Sequence, residues 1–393
     1  MIAEIKQEVS KVLSEVVDLR RWLHQHPELS FQEFETSKKL REALSGLDVK
    51  LDYPIAGEGF SVLIEGEQPG PTVLLRGDMD ALPIQEQTNV PFKSVHEGVM
   101  HACGHDVHSA CLVGVVKVLA AMKKHIKGSV KCMFQPGEEK LPGGASLMIQ
   151  EGILECPKVS QAYAQHVFPE LEVGKVGFRS GMYMASCDEV YVDIEGVGGH
   201  GAMPHAVKDP VLAMAHMITG LQSIVSRSCP PPVPCVLSFG RVEALGATNV
   251  IPSKVSIQGT FRTLNEAWRS EAHQLIVNQA NQLVEAMGCK ATVRIEKGYP
   301  FVDNSPEVTE RAKELAKLFL GEENVVDLPL RMTGEDFAFI THAVPSCFYR
   351  LGTRNEALGQ TQGVHHPQFE ANEGAIETGV GLMAYLALEG VVG

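Results

Sequence analysis

Apolar positions between residues 2 and 25 recur at three- and four-residue intervals: Ile5, Val9, Val12, Leu13, Val16, Leu19 and Leu23. That spacing predicts a helix that buries one stripe, ended by Pro27 of "HPELS". A second helix is expected over about 33 to 45. Two short apolar strands, "FSVLIEG" and "PTVLLRGD", then flank a Gly-Pro turn and lead into the helical run "DVHSACLVGVVKVLAAMKKH". Strands "SVKCMFQP" and "QAYAQHV" follow, with a short helix between them. Strands alternating with helices imply an α/β sheet with crossover connections.

From about residue 187 the pattern changes. A strand "DEVYVDIEG", a helix "DPVLAMAHMITGLQSIVSR", strands "PCVLSFGRVEA" and "SKVSIQGTFR", a helix over 265 to 287 and a strand "KATVRIEKG" give the order βαββαβ. This is a compact α+β unit of ferredoxin-like type. It reads as a domain of residues 187–297 inserted into an α/β domain made of 1–186 and 298–393. Beyond 300 the first style resumes with a helix, "GEDFAFI", the strand-like "SCFYRLGT" and a terminal helix from about 372. There is no internal repeat and no low-complexity tract. A length of 393 residues suits two or three domains at about 150 residues each.

Composition narrows the class without naming it. Apolar residues at 44% and charged residues at 21% are ordinary for a globular protein. A net charge of -14 argues against nucleic acid or an anionic membrane as partner. No stretch reaches the roughly 18 apolar residues of a membrane span. Acidic residues interrupt the amino-terminal stretch "MIAEIKQEVSKVLSEVVDL" where a signal peptide would be apolar, so a cytoplasmic location is expected. The nine cysteines are odd in number and scattered, which predicts reduced thiols. Cys111, Cys132 and Cys235 lie in apolar runs and read as small buried hydrophobes.

Five stretches carry polar residues suited to chemistry: "RGDMDALP" (Asp78, Asp80), "HACGHD" (Cys103, His105), "QPGEEK" (Glu138, Glu139), "AQHVFP" (His166) and "VHHP" (His365, His366). In the first, third and fourth an apolar strand runs straight into the polar cluster. Ligands bind at the carboxyl ends of strands in α/β sheets, so neighbouring strands of this kind would bring their donors into one crevice. Any one stretch alone reads more simply as a helix cap or a solvated carboxylate. Jointly they point to a metal.

A thiolate and an imidazole at Cys-x-His spacing suit zinc and softer transition ions. No Cys-x-x-Cys supports a redox thiol. A papain-like Cys/His nucleophile is opposed by the adjacent carboxylates, which disfavour thiolate formation unless a cation is present. In "GEE" the two carboxylates point in different directions, so one can bind metal while the other handles the proton of a water. A pair of ions would need a bridging ligand, for which Cys103 is a candidate. "EGVGGHGAMPH" contains the Gly-x-Gly-x-x-Gly spacing at Gly196, Gly198 and Gly201, but Pro204 and a loop follow in place of a helix, and no acid lies near 220. The glycines more plausibly let His200 or His205 project from the inserted domain.

Taken together, "RRWLHQHPELSFQE", "RGDMDALP", "MHACGHDVH", "QPGEE", "GGHGAMPH", "NVIP", "GEDF" and "HHPQFEANE", in this order over residues 20 to 373, resemble the dinuclear metallohydrolases of peptidase family M20. Within that family the chain is similar to the amidohydrolase branch of hippurate hydrolases, auxin-conjugate hydrolases and N-acyl-amino-acid deacetylases. The resemblance implies a zinc-exopeptidase-like catalytic domain with a central mixed sheet, carrying an inserted lid and dimerisation domain. It implies two divalent ions per subunit, zinc, manganese, nickel or cobalt, held by Cys103, His105, Glu139, His166 and His365, with Cys103 bridging. Glu138 would be the general base and Asp80 would orient a ligand. His200 would stabilise the oxyanion, from its own subunit or a partner's, and Asn249 and Arg262 would contact substrate. His365 is preferred to His366 because the branch shows His, a variable residue, then Pro.

The expected activity is hydrolysis of an N-acyl amino acid to a carboxylate and a free amino acid. A dipeptidase or carboxypeptidase using the same chemistry is the nearest rival. A non-catalytic protein with a structural metal is the rival of another class, and a nicotinamide enzyme a distant third.

Overall fold

The computed structural model describes residues 1–390, which divide into two compact units. The first comprises Met1–Tyr183, Val302–Leu330 and the chain from Asp336 onward. Its centre is an eight-stranded sheet. The strands are β1 (Lys50–Ile55), β2 (Gly59–Glu65), β3 (Gln68–Asp78), β4 (Lys127–Gln135), β5 (Val159–Glu172), β6 (Val176–Phe178), β7 (Val325–Asp327) and β8 (Ser346–Arg354). Their order across the sheet is β1-β2-β4-β3-β5-β8-β6-β7. The middle strands β4, β3, β5 and β8 are mutually parallel, while β1, β2 and the β8–β6 pair are antiparallel. The fold is therefore α/β with a mixed sheet.

Three helices matter for the site: α1 (Ile2–Gln25), α2 (Phe34–Ala43) and α3 (His105–Ala121). The apolar stripe of α1 buries Ile5, Val9, Val16, Leu19 and Leu23 in the core, where each contributes about 1.5–3 kcal/mol relative to exposure. That stripe packs on α3. Apolar nearly all round, α3 is buried from His105 to Val116, so its amino terminus opens inside the protein. The sequence pattern missed β1, whose residues are exposed except Ile55 and include Pro54. An edge strand tolerates proline and has little to bury, so it leaves no alternation to read. Cys111 and Cys132 are buried as expected, whereas Cys235 is only half-buried.

Register levels the chemistry. Asp78 lies opposite Gln135 at the ends of β3 and β4, and Arg76 opposite Ala164 of β5, which sets His166 beside the same level two residues on. One expectation fails here. His166 does not end its strand, because β5 continues to Glu172 and its pairing with β8 runs through Phe168 opposite Gly352 and, past an irregularity, to Glu172 opposite Arg354.

The second unit comprises Met184–Phe301 and Arg331–Glu335. Its four antiparallel strands lie in the order 235–243, 254–263, 188–195 and 290–297, with helices Pro210–Ser223 and Glu266–Glu285 completing the βαββαβ sequence. The short segment 331–335 joins this unit because Ala185 N donates to Thr333 O at 3.0 Å and Arg262 Nη1 to Met332 O at 3.3 Å. Asp188 anchors it from within: the buried carboxylate accepts from Arg269 Nη2 at 2.5 Å, Arg269 Nε at 2.9 Å, His273 Nε2 at 2.7 Å and Gly298 N at 3.1 Å. No helix among the described residues is long and apolar enough to cross a membrane.

Candidate metal centre

The site is built in the first unit, where the loop after β3, the start of α3, the turn after β4, the middle of β5 and the 365 loop converge. Gly104 makes the entry to α3 possible. It adopts φ +82°, and a Cβ there would stand 2.5 Å from Val167 Cγ2, so only glycine lets Cys103 and His105 approach β5.

Three overlapping sets of donors result. Cys103, His105 and His166 form one, Cys103, Glu139 and His365 a second, and His105, Glu138 and Glu139 a third, the atoms of each set lying within 4.8 Å of one another. Cys103 Sγ is 3.4 Å from His166 Nε2, and Glu139 Oε1 is 3.1 Å from His365 Nε2 and 3.9 Å from His105 Nε2. Glu138 Oε2 stands 4.0 Å from His105 Nε2. All five residues expected as ligands thus meet, with Cys103 common to two sets. His365 is held in the left-handed region at φ +64° by its N–H, which donates to Ala102 O at 2.7 Å. The neighbouring His366 is turned into its own loop, its Nδ1 accepting from Gln368 N at 3.1 Å.

Surrounding groups orient the rings. His105 Nδ1 donates to Asp80 Oδ1 at 3.1 Å, and His166 Nδ1 donates to Val167 O at 2.8 Å, so each presents Nε2 inward. The other polar residues of "HACGHDVH" are accounted for otherwise. His108 donates from Nδ1 to Asp78 Oδ1 at 2.6 Å and accepts at Nε2 from Val167 N at 2.9 Å. With both nitrogens engaged, it is a structural neutral histidine, although it lies close enough to Asp78 and His105 to form a fourth donor set. Asp106 pairs with Arg20 Nε at 2.9 Å and His24 Nδ1 at 2.8 Å on α1. His101 is buried with no partner on either ring nitrogen; burial lowers it to about 4 and keeps it neutral.

Charge and unpaired atoms show that a divalent cation fits. His105 Nε2 and Glu139 Oε1 are buried without a hydrogen-bond partner, the 3.1 Å approach of His365 lacking hydrogen-bond alignment. Burial alone would lower His105, yet the carboxylates of Asp78, Asp80 and Glu139 raise it to about 10. Burial, reinforced by Glu139, Glu138 and Asp78, pushes the Cys103 thiol well above its ordinary value. His166 is held neutral, lowered by burial and by the Arg350 charge. A cation at this point would neutralise the carboxylates, take the place of the proton on His105 and stabilise the thiolate together.

Sequence reasoning gave no role to a buried network below the donors. Arg76 donates from Nη1 to Asp78 Oδ2 at 2.5 Å, from Nε to Gln135 Oε1 at 2.8 Å and from Nη2 to Asp336 Oδ1 at 2.8 Å. The signal was present: an arginine inside the apolar strand "TVLLRGD" must have buried acids around it.

The remaining predicted residues lie in the second unit and are described within it. His200 is exposed in the strand Gly199–His200, paired opposite Val250, and its Nδ1 accepts from Ala202 N at 3.1 Å, which leaves the ring proton on Nε2. Asn249 is exposed beside it, its carbonyl accepting from Gly201 N at 2.8 Å. Arg262 is half-buried, with Nη1 3.0 Å from Cys187 Sγ. After Gly201 comes a single 3-10 turn, Pro204–Ala206, as expected for a spacing that does not bind a dinucleotide.

Known proteins of the same kind exist. The chain is 42% identical over 305 residues to an N-acyl-L-amino acid amidohydrolase of Geobacillus stearothermophilus, covering 77% of this chain and 82% of that protein. It is 34% identical over 393 residues to thermostable carboxypeptidase 2 of Saccharolobus solfataricus, covering 99% and 98%. The Bacillus subtilis YXEP protein, a dinuclear metal binding peptidase from the M20 family, superposes with a TM-score of 0.82 at 34% identity, over 96% of this chain and 98% of that one. The sequence model of peptidase family M20/M25/M40 matches residues 74–389, and with these likenesses the chain belongs to that family.

Proposed function

We propose that the protein is a metal-dependent amidohydrolase that cleaves the amide bond of N-acyl amino acids to a carboxylate and a free amino acid. The observation that carries this reading is the pair of donor sets sharing Cys103, with Glu138 beside them and outside both. A structural metal site closes with four protein ligands, whereas this cluster offers donors for two ions and one further acid. Cys103, His105 and His166 would hold one ion, and Cys103, Glu139 and His365 the other, as zinc, manganese, nickel or cobalt. Ions bound there supply Lewis acidity toward the carbonyl oxygen and lower the pKa of water.

The chain's own groups do the rest. Glu138 takes the proton of the attacking water and delivers it to the departing amine. Asp80 holds the His105 ring through Nδ1. His200 offers its Nε2–H to the carbonyl oxygen as that oxygen becomes anionic, in its own subunit or a partner's. Asn249 and Arg262 contact the substrate, the guanidinium suiting the amino acid's carboxylate.

The inserted unit is the lid, and we read it as the dimer contact, supported by the edge strand Cys235–Glu243 and by exposed Val242, Leu245 and Val250. A cytoplasmic location accords with nine free thiols among the described residues.

A carboxypeptidase is the second reading, favoured by the Saccharolobus relative, whose identity of 34% is lower than the 42% to the amidohydrolase. Amine release from a panel of acetyl-, benzoyl- and aminoacyl-amino acids separates the two. Turnover of the acetyl and benzoyl compounds is expected, while turnover of aminoacyl compounds alone would give the site to a peptidase. Glu138→Gln should lower kcat by about 10²- to 10⁴-fold with metal content unchanged. Retained turnover would remove Glu138 from its role.

A further inference from the structure

Between α1 and α2 runs a short segment, Ser30–Glu33, that touches both sides of the turn carrying Glu138. Glu33 is fully buried, and its Oε1 accepts from Gly137 N at 2.7 Å across 104 positions of chain. It occupies the N-cap position of α2 yet makes no side-chain cap to that helix. The capping is done by Glu28, whose carboxylate accepts from Thr36 N at 2.8 Å and Glu35 N at 3.2 Å. The Glu33 side chain is thus committed to the distant turn and not to its own helix.

Phe31 makes a second contact from the same segment. It sits in the left-handed region at φ +65°, and its ring lies so close to Gly137 that a Cβ there would be 2.4 Å from Cε1 and Cζ. A phenylalanine in that backbone conformation is strained, and such strain persists only where the surroundings over-determine it. Ser30 makes the third contact. Its hydroxyl donates at 2.6 Å to Asp80 Oδ2, the oxygen that also accepts from Glu139 N at 3.0 Å. Gly137 and Glu139 are therefore both anchored by one segment, directly and through Asp80, and Glu138 is the residue between them.

We propose that Ser30–Glu33 is a positioning clamp for the catalytic turn, with Glu33 and Phe31 setting where the Glu138 carboxylate stands. The clamp rests on Glu138 being the base. Losing either contact loosens Gly137, leaving it the other contact and the bond from Gly144 N to its carbonyl at 3.0 Å, and its φ of +59° is one that a glycine leaves without restraint. A displacement near 1 Å at a reacting group costs on the order of 10²-fold in rate. Burial, then the Asp80 charge, raises Glu33 to about 8, so glutamine is its near match at neutral pH and keeps an acceptor for Gly137 N.

The test compares Glu33→Ala, Glu33→Gln and Phe31→Gly, the last removing the ring while permitting the same backbone conformation. Two readouts are taken: kcat and KM on an acetyl-amino acid, and hydrogen exchange of the 137–139 amides in the full-length protein without substrate. Glu33→Ala and Phe31→Gly should each lower kcat about 10- to 100-fold with KM within about twofold, and should speed exchange locally. Glu33→Gln should restore both. If Glu33→Ala does not fold, Phe31→Gly carries the test. Unchanged kcat in the folded variants overturns the clamp, whatever exchange does, and so does a lower kcat without faster exchange. Because exchange is measured without turnover, a Glu138→Gln enzyme that stays active would refute the base assignment while leaving the clamp's exchange result to stand on its own.

Discussion

Replacing Gly104 with Ala drives a methyl group between the two strongest ligand-bearing segments. The first cost is backbone: an L-residue in the left-handed region loses about 1–2 kcal/mol. The second is steric. The new Cβ would meet Val167 Cγ2 at 2.5 Å and Cγ1 at 3.1 Å, and overpacking a filled interior costs about 1–3 kcal/mol. A loss of about 2–5 kcal/mol is expected for the first unit. Because Val167 follows His166, the relaxation pushes His166 away from Cys103, and metal affinity should drop about 10- to 100-fold, as for other changes to groups that orient ligands. Val167→Ala removes both γ carbons and leaves only Cβ at 3.3 Å. In that background Gly104→Ala should cost only the backbone part, a coupling of about 1–3 kcal/mol. Trp22 lies in the first unit and Trp268 in the second, and they are the only tryptophans, so Trp268→Phe protein reports the first unit by fluorescence during denaturation. A zinc titration supplies the affinity. If Gly104→Ala costs the same with Val167 intact and shortened, close approach is not what selects glycine here.

Two further outcomes follow from the geometry. His105→Gln should strip metal, whereas His108→Gln should keep it and lose about 1–3 kcal/mol, since His108 holds Asp78 and Val167 N and no ion; equal metal loss in both, by elemental analysis, would make His108 a ligand. Asp188→Ala should destabilise the second unit by about 3–5 kcal/mol, read by Trp268 in Trp22→Phe protein, because the buried Arg269 loses its buried counter-charge and keeps only the partly exposed Glu266. Burial would raise Asp188, but hydrogen bonds and charge from His273 and Arg269 hold it below the ordinary carboxylate value. Its stabilisation is therefore present above about pH 4 and lost as pH falls through the lowered value. A wild-type stability no more acid-sensitive than that of Asp188→Ala would contradict this.

Much was legible along the chain because it is periodic or local. The α1 stripe, the βαββαβ order and the apolar strands running into "RGD" and "QPGEE" are written in nearest-neighbour spacing, which burial on one face enforces. The chemistry of the donors was readable too, since a Cys-x-His pair beside carboxylates has few stable uses other than binding a cation. What could not be read was selection among similar residues. His101, His105 and His108 look alike in "HACGHDVH", and only packing decides that one is buried without a hydrogen-bond partner, one faces the carboxylates and one is consumed by Asp78 and Val167. The same holds for Arg76 and Glu33, whose partners lie up to 260 positions away. Sequence determined which side chains were available and which elements carry them; the sheet register and the close approach of β5 to α3 determined which of them meet, because hydrogen bonds and steric exclusion act across space and leave no local pattern.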